Sequence, residues 1–154
     1  MASGNILATL HPYANEPPGA NYAIADIRNG HPVLAFDDTT SWAAAWTFVL
    51  PDNYGGGGLT VEVESMAASA TTGTHGWTVE VERMDNGTTD FDADSFAAAQ
   101  TITAANVPGT SGQTMKQSIN ISTGANLDNA VAGDTVRLRI KRDVANDKIG
   151  RAHV

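Results

Sequence analysis

The sequence has no cysteine, which excludes disulfides and thiolate metal sites and leaves the redox compartment open, because a domain stable without bridges survives in either environment. Positive charge is scarce as well. Nine Lys and Arg face 17 Asp and Glu, giving a formal net charge of −8, so general attraction to nucleic-acid phosphates or to an anionic membrane surface is excluded as a working expectation. No apolar run approaches the roughly 18 residues of a membrane span. The opening "MASGNILATLHPYANEPPG" lacks the basic start and apolar core of a signal peptide, which leads us to expect synthesis in the cytoplasm without export.

Motifs of catalysis are lacking too. The four histidines, His11, His31, His75 and His153, show no ligand-like spacing, and there is no HExxH pair and no GxSxG elbow, so neither a zinc site nor a His-based triad is supported. An active site needs a convergent set of roles; the expectation is a protein that is not an enzyme and carries no cofactor.

What is present is alternation. "LTVEVES" (59–65) sets Leu59, Val61 and Val63 against Glu62 and Glu64, and "WTVEVER" (77–83) sets Trp77, Val79 and Val81 against Glu80 and Glu82. Period two means strands with one dry face. The intervening "MAASATTGTHG" reads as the turn of a long hairpin, making the pair two strands of one sheet. Ile119 and Ile121 repeat the pattern, as do Val136, Leu138 and Ile140, with Arg137, Arg139 and Lys141 facing out. Weaker strand candidates are "NILATL", "NYAIADI", "PVLAF", "AAAWTFVL" and "QTITAA". With 42% hydrophobic residues the chain can bury one core. About eight short strands with almost no helical periodicity predict an all-β single domain, an antiparallel β-sandwich of jelly-roll type. One short helical turn is expected near 94–99, capped by Asp94 or Ser95 and running through Phe96.

Several stretches invite chemistry. "PDNYGGGGLTVEVE" resembles a phosphate cradle, but a strand follows it where a phosphate loop needs a helix, and no lysine is near. A bent strand entry is the better account. Asp90, Asp92 and Asp94 in "DNGTTDFDAD" offer alternating carboxylates to a hard cation such as calcium, although the sixth and twelfth positions from Asp90 are Ser95 and Thr101, not the glycine and glutamate of an EF-hand. An acidic turn is the competing account. Trp42 and Tyr54, beside loops, are the candidates for a sugar-stacking surface, whereas the parity of Trp77 and Trp46 puts them in the core. The outward Glu62, Glu64, Glu80 and Glu82 would attract the outward Arg137, Arg139 and Lys141 if their strands were neighbours or met across a subunit boundary. These seven residues are the interface candidates.

Together, "NILATLHPYANEPPGANYAIADIRNGHPVLAFD", "FVLPDNYGGGGLTVEVES", "DFDADSFAAAQ" and "AGDTVRLRIKRD" give a chain that resembles small β-rich proteins of tailed bacteriophages and environmental viral sequence sets, some of them like jelly-roll head decoration or cement proteins. The resemblance covers most of residues 1–147. It implies a virion protein that binds the major capsid protein lattice as a homodimer or homotrimer and stabilises the assembled head, with residues 1–20 as an extended N-terminal arm held open by prolines. The alternative is a carbohydrate-binding module of a tail fibre. The resembling proteins continue past "RDVAND" into a turn and one more alternating strand. Here "IGRAHV" can be encoded by ATC GGA AGA GCA CAC GTC, the start of a common sequencing adapter. The expectation is that residues 148–154 are a non-native tail, giving His153 and Arg151 no functional weight and leaving a slot in one sheet unless the tail or a neighbouring molecule fills it.

Overall fold

The computed structural model describes residues 5–154; the first four residues of the expected arm lie outside them. Among the described residues, nine strands form two antiparallel sheets: β1 (Ile24–Arg28), β2 (His31–Phe36), β3 (Ala43–Val49), β4 (Leu59–Ala67), β5 (Thr74–Met84), β6 (Gln100–Asn106), β7 (Thr114–Ile121), β8 (Thr135–Arg142) and β9 (Ala152–His153). The five-stranded sheet has the order β1-β2-β9-β4-β7 and the four-stranded sheet β3-β8-β5-β6. Strand pairing is nested, β5 with β6, β4 with β7, β3 with β8, and β2 with β9. That nesting is the jelly roll: one long hairpin rolled so that successive pairs fall on alternate sheets.

Side chains that alternate inward meet between the sheets. Phe36 of β2 packs edge to face on Trp77 of β5, with ring centroids 4.8 Å apart at 80°, a favoured aromatic arrangement. Around them lie Leu34, Leu50, Val79, Ile121, Val136 and Leu138, all buried. The β1–β2 hairpin turns at Asn29 and Gly30, whose φ angles are 49° and 81°. Two positive φ values are what a two-residue turn of the twist-matching kind demands. Gly58 at the entry of β4 has φ 91°, and a Cβ there would stand 2.6 Å from the carbonyl oxygen of Ile121, so the glycine run is a bent strand entry whose last member must be glycine.

Three expectations are corrected. The two "TVEVE" strands do not form a hairpin: β4 and β5 lie in different sheets, because each finds its ladder partner later in the chain and the "MAASATTGTHG" segment crosses between layers. The turn near 94–99 is not helical. Ser95 spends its N–H and hydroxyl on the Oε1 of Glu82, both at 2.8 Å, and Ala97 N–H donates to the carbonyl of Val81, so this segment lies flat over β5. The helical turns are 3-10 turns at Pro12–Ala14 and Ala125–Leu127. Finally, "NILATL" joins no ladder among the described residues; Leu7 and Leu10 pack on the core while Ile6 stays 85% exposed.

Residues 11–16 act as a strap on the outer edge of β3. Glu16 N–H donates to the Ala45 carbonyl, Ala45 N–H to the Asn15 side chain, and the Trp46 indole N–H to the His11 carbonyl. An exposed ladder edge is thereby covered.

Candidate functional site

The charged rows are the first place to look, since they are what the sequence offers. In the four-stranded sheet the register sets Glu80 opposite Arg139 and Glu82 opposite Arg137. Arg139 Nε donates to Glu80 at 2.6 Å, Lys141 Nζ lies 3.0 Å from Glu80, and Arg137 donates to Glu82 at 3.1 Å. Asp94 lies across the top, accepting from both Arg137 and Arg139. Phe96 offers its ring to Arg139, whose guanidinium carbon sits 3.8 Å from the centroid, a cation–π contact. Of the two arrangements the sequence allowed, the structure shows neighbouring strands: these five interface candidates are consumed within the chain. Among the described residues Glu62 has only Lys116, at 3.6 Å with both side chains exposed, and Glu64 lies opposite Lys116 in register.

The other candidates separate. Asp90 turns back on the N–H of Asp92 while Asp94 goes to the arginines, so the three carboxylates do not converge; among the described residues no three His, Asp or Glu side chains cluster as ligands. Tyr54 is buried, its hydroxyl accepting the Gly58 N–H at 3.1 Å. It is packing and turn support, not a sugar platform. Trp42 is half-buried and, with Asn21, Tyr22 and Ile24, borders a groove of about 240 Å³. A second groove of about 440 Å³ shares Tyr22 and Ile24 and is walled by Pro12, Tyr13, Pro17 and Leu34. Tyr13 is 57% exposed, Tyr22 and Ile24 47% each, and Ile27 on the same edge strand 61%. Tyr13, Tyr22 and Ile24 thus form one apolar margin at the start of β1, whereas Ile27, three positions on, points to the other face of the strand.

Two buried polar clusters escaped the sequence. Ser65 Oγ lies 3.4 Å from His75 Nδ1, and Gln117 donates to the His75 carbonyl. Burial pushes the imidazole down to about 4, since desolvation disfavours the charged form. Ser65 and His75 are both sealed from solvent, so the pair joins the layers and reaches no substrate. The second cluster centres on Arg142, which is fully buried. Its guanidinium donates to Asp147 and to the carbonyls of Asp37, Ile149 and Gly150. Parity along β8 was the available signal: Val136, Leu138, Ile140 and Arg142 share the inward face.

Arg142 pins residues 147–150, and the chain then enters the five-stranded sheet as β9. Residues 148–154, expected as a non-native tail, thus occupy the position of the jelly roll's last strand. Ala152 and His153 pair with Phe36 and Ala35 on one side and with Ala67 and Met66 on the other. His153 is buried, with Nε2 3.3 Å from Asp26 Oδ2, and desolvation lowers its pKa. No protein-family model matches the chain and no curated protein matches it.

Proposed function

We propose that the protein is a non-catalytic structural subunit of a bacteriophage particle, a decoration or cement protein that binds the assembled head lattice and stabilises it. The observation that carries this reading is the apolar margin of Tyr13, Tyr22 and Ile24, since contiguous exposed apolar surface on a small domain marks a contact surface. The jelly-roll order and the sequence resemblance support the viral context. Binding only the assembled shell shifts the equilibrium toward it by mass action. The test is co-sedimentation of the purified protein with empty heads built from the capsid gene nearest its own; expected is saturable binding, lost in the Tyr22→Asp/Ile24→Asp variant.

A second reading is favoured by one observation: Trp42, Tyr22 and Tyr13 border adjoining grooves, as a tail-fibre carbohydrate module would require. Binding on a glycan array without co-sedimentation would select it over the first.

A further inference from the structure

The connection from β8 to β9 lies against the first residues of β5. Asp143 N–H donates to Gly76 O and Lys148 N–H to Thr74 O, while the Thr74 hydroxyl donates to Asn146 O. Contact is closest at Gly73, where a Cβ would stand 2.7 Å from Lys148 O and 3.1 Å from the Ile149 side chain. Amid these bonds sits His75, wholly buried. Its Nδ1 has only the Ser65 hydroxyl, and its Nε2 has no hydrogen-bond partner among the described residues. Gln117 Oε1 does not reach it, because the Gln117 amide is held by its nitrogen on the carbonyls of His75 and Thr103. Trp77 packs on the ring, with centroids 4.7 Å apart. The charged groups that act on the ring are Asp147, from the connection, and Arg142, from β8. Both oxygens of Asp147 are already engaged, Oδ2 by Arg142 Nε and Oδ1 by the Ile149 N–H.

We propose that His75 is an acid-sensitive latch: protonation of its imidazole releases residues 143–150 from β5 while the four-stranded sheet stays folded. The imidazolium carries two N–H donors, and in the closed structure one has a long contact to Ser65 and the other has no acceptor. A buried donor left unmet and a buried charge left unpaired both cost free energy. Asp147 offsets that cost only by giving up Arg142, whose guanidinium then becomes the uncompensated cation. Opening relieves both, since water reaches the ring. The connection is the side that moves. The start of β5 is laddered to β6, and its remainder to β8, whereas residues 143–150 join no ladder. They rest on Arg142 and on the few bonds to β5, and such segments open at lower free energy than the sheet beneath them. The latch goes beyond the proposed function and does not depend on it.

Hydrogen exchange of the full chain from pH 7 to 4, each amide rate taken relative to its unprotected value, tests the latch. The imidazole pKa is lowered to about 4 when closed and returns to 6.5 when open, so the open form takes up the proton first and opening becomes about a hundredfold more favourable at pH 4 than at pH 7. Protection of the Lys148 and Ile149 amides should fall by that factor. Both should stay less protected than Leu138 and Ile140 of β8 at each pH, and low urea should speed only the β8 pair, since local opening exposes little surface. Equal protection of the two pairs, rising together in urea, would mean that only global unfolding frees the ring, and would overturn the proposal. In His75→Gln the fall should vanish, whereas in His153→Gln it should persist; the reverse result refutes the latch. Should His75→Gln not fold, the wild type still decides. Loss of protection should begin near pH 6.5, and a loss confined below about pH 4.5 would belong to a carboxylate instead.

Discussion

The two sheets of this sandwich solve the same problem to different degrees. In the four-stranded sheet, β8 is paired with β3 and β5 along nearly its whole length, its outward cations are matched by glutamates, and the edge of β3 is strapped. In the five-stranded sheet, β4 has a full ladder with β7 but on its other side only the short β9. The sheets are joined by polar groups at the core's margin, Arg142 reaching from β8 to residues 147–150 and His75 from β5 to Ser65 of β4. Where the ladder is complete, charge and backbone are satisfied together; along Thr60–Glu64 of β4, one backbone edge has no ladder partner among the described residues, and Glu62 meets only the exposed Lys116.

The comparison breaks most completely at Arg142. Arg142→Met leaves Asp147 buried without its cation, and removal of one partner of a buried pair costs about 3–5 kcal/mol. Urea unfolding should show that loss, with the amides of β9 losing protection first. Acid should act next. His75 is buried neutral with its pKa lowered from 6.5 to about 4, so the unfolded chain takes up the proton first. Stability is therefore full above about pH 6.5 and falls by about 3 kcal/mol as the pH drops toward 4; His153, shifted the same way, adds to the slope. Denaturant melts across that window should show a flatter profile for His75→Gln, and an unchanged slope would remove the histidine from the account.

The charged rows sharpen the contrast at lower cost. Arg139→Ala cuts a mostly shielded network and should lose about 1–2 kcal/mol, whereas Lys116→Ala, on the exposed face of β7 beside β4, should change stability by less than about 0.5 kcal/mol. The smallest effect in energy is in hydrogen exchange. Amides of Glu62 and Glu64 should exchange fast while those of Val63 and Ser65, bonded to β7, stay protected with those of Leu138 and Ile140. Uniform protection along β4 would remove the contrast between its two edges.

Much of the fold was legible in the sequence because period-two alternation is a local property. The strands holding Val79, Leu138 and Ile121, the inward Trp77 and the outward Arg137 all follow from it. Sheet membership did not, since the nearly identical β4 and β5 carry nothing local that says their partners are β7 and β8. The turn at Asn29–Gly30 was present in the sequence as a strong hairpin signal that the strand pattern alone did not use. For the site, the attraction between Glu80, Glu82 and the arginine row was readable, but whether it would be spent within the chain depended on strand order. Tyr54 was misread because loop position does not reveal burial. Arg142 was missed because a charge at an inward position looks like an error of phase until its acceptors, which come from distant segments, are in place.

The nested pairing also orders events in time. The innermost hairpin, β5 with β6, closes a short stretch of chain, whereas Phe36 meets Ala152 only after almost everything between them is placed. Closing each larger loop costs more entropy, and folds dominated by such distant pairings form on the order of milliseconds to seconds. The rolled hairpin should therefore zip outward from Trp77, with β9 the last of the nine described strands to arrive.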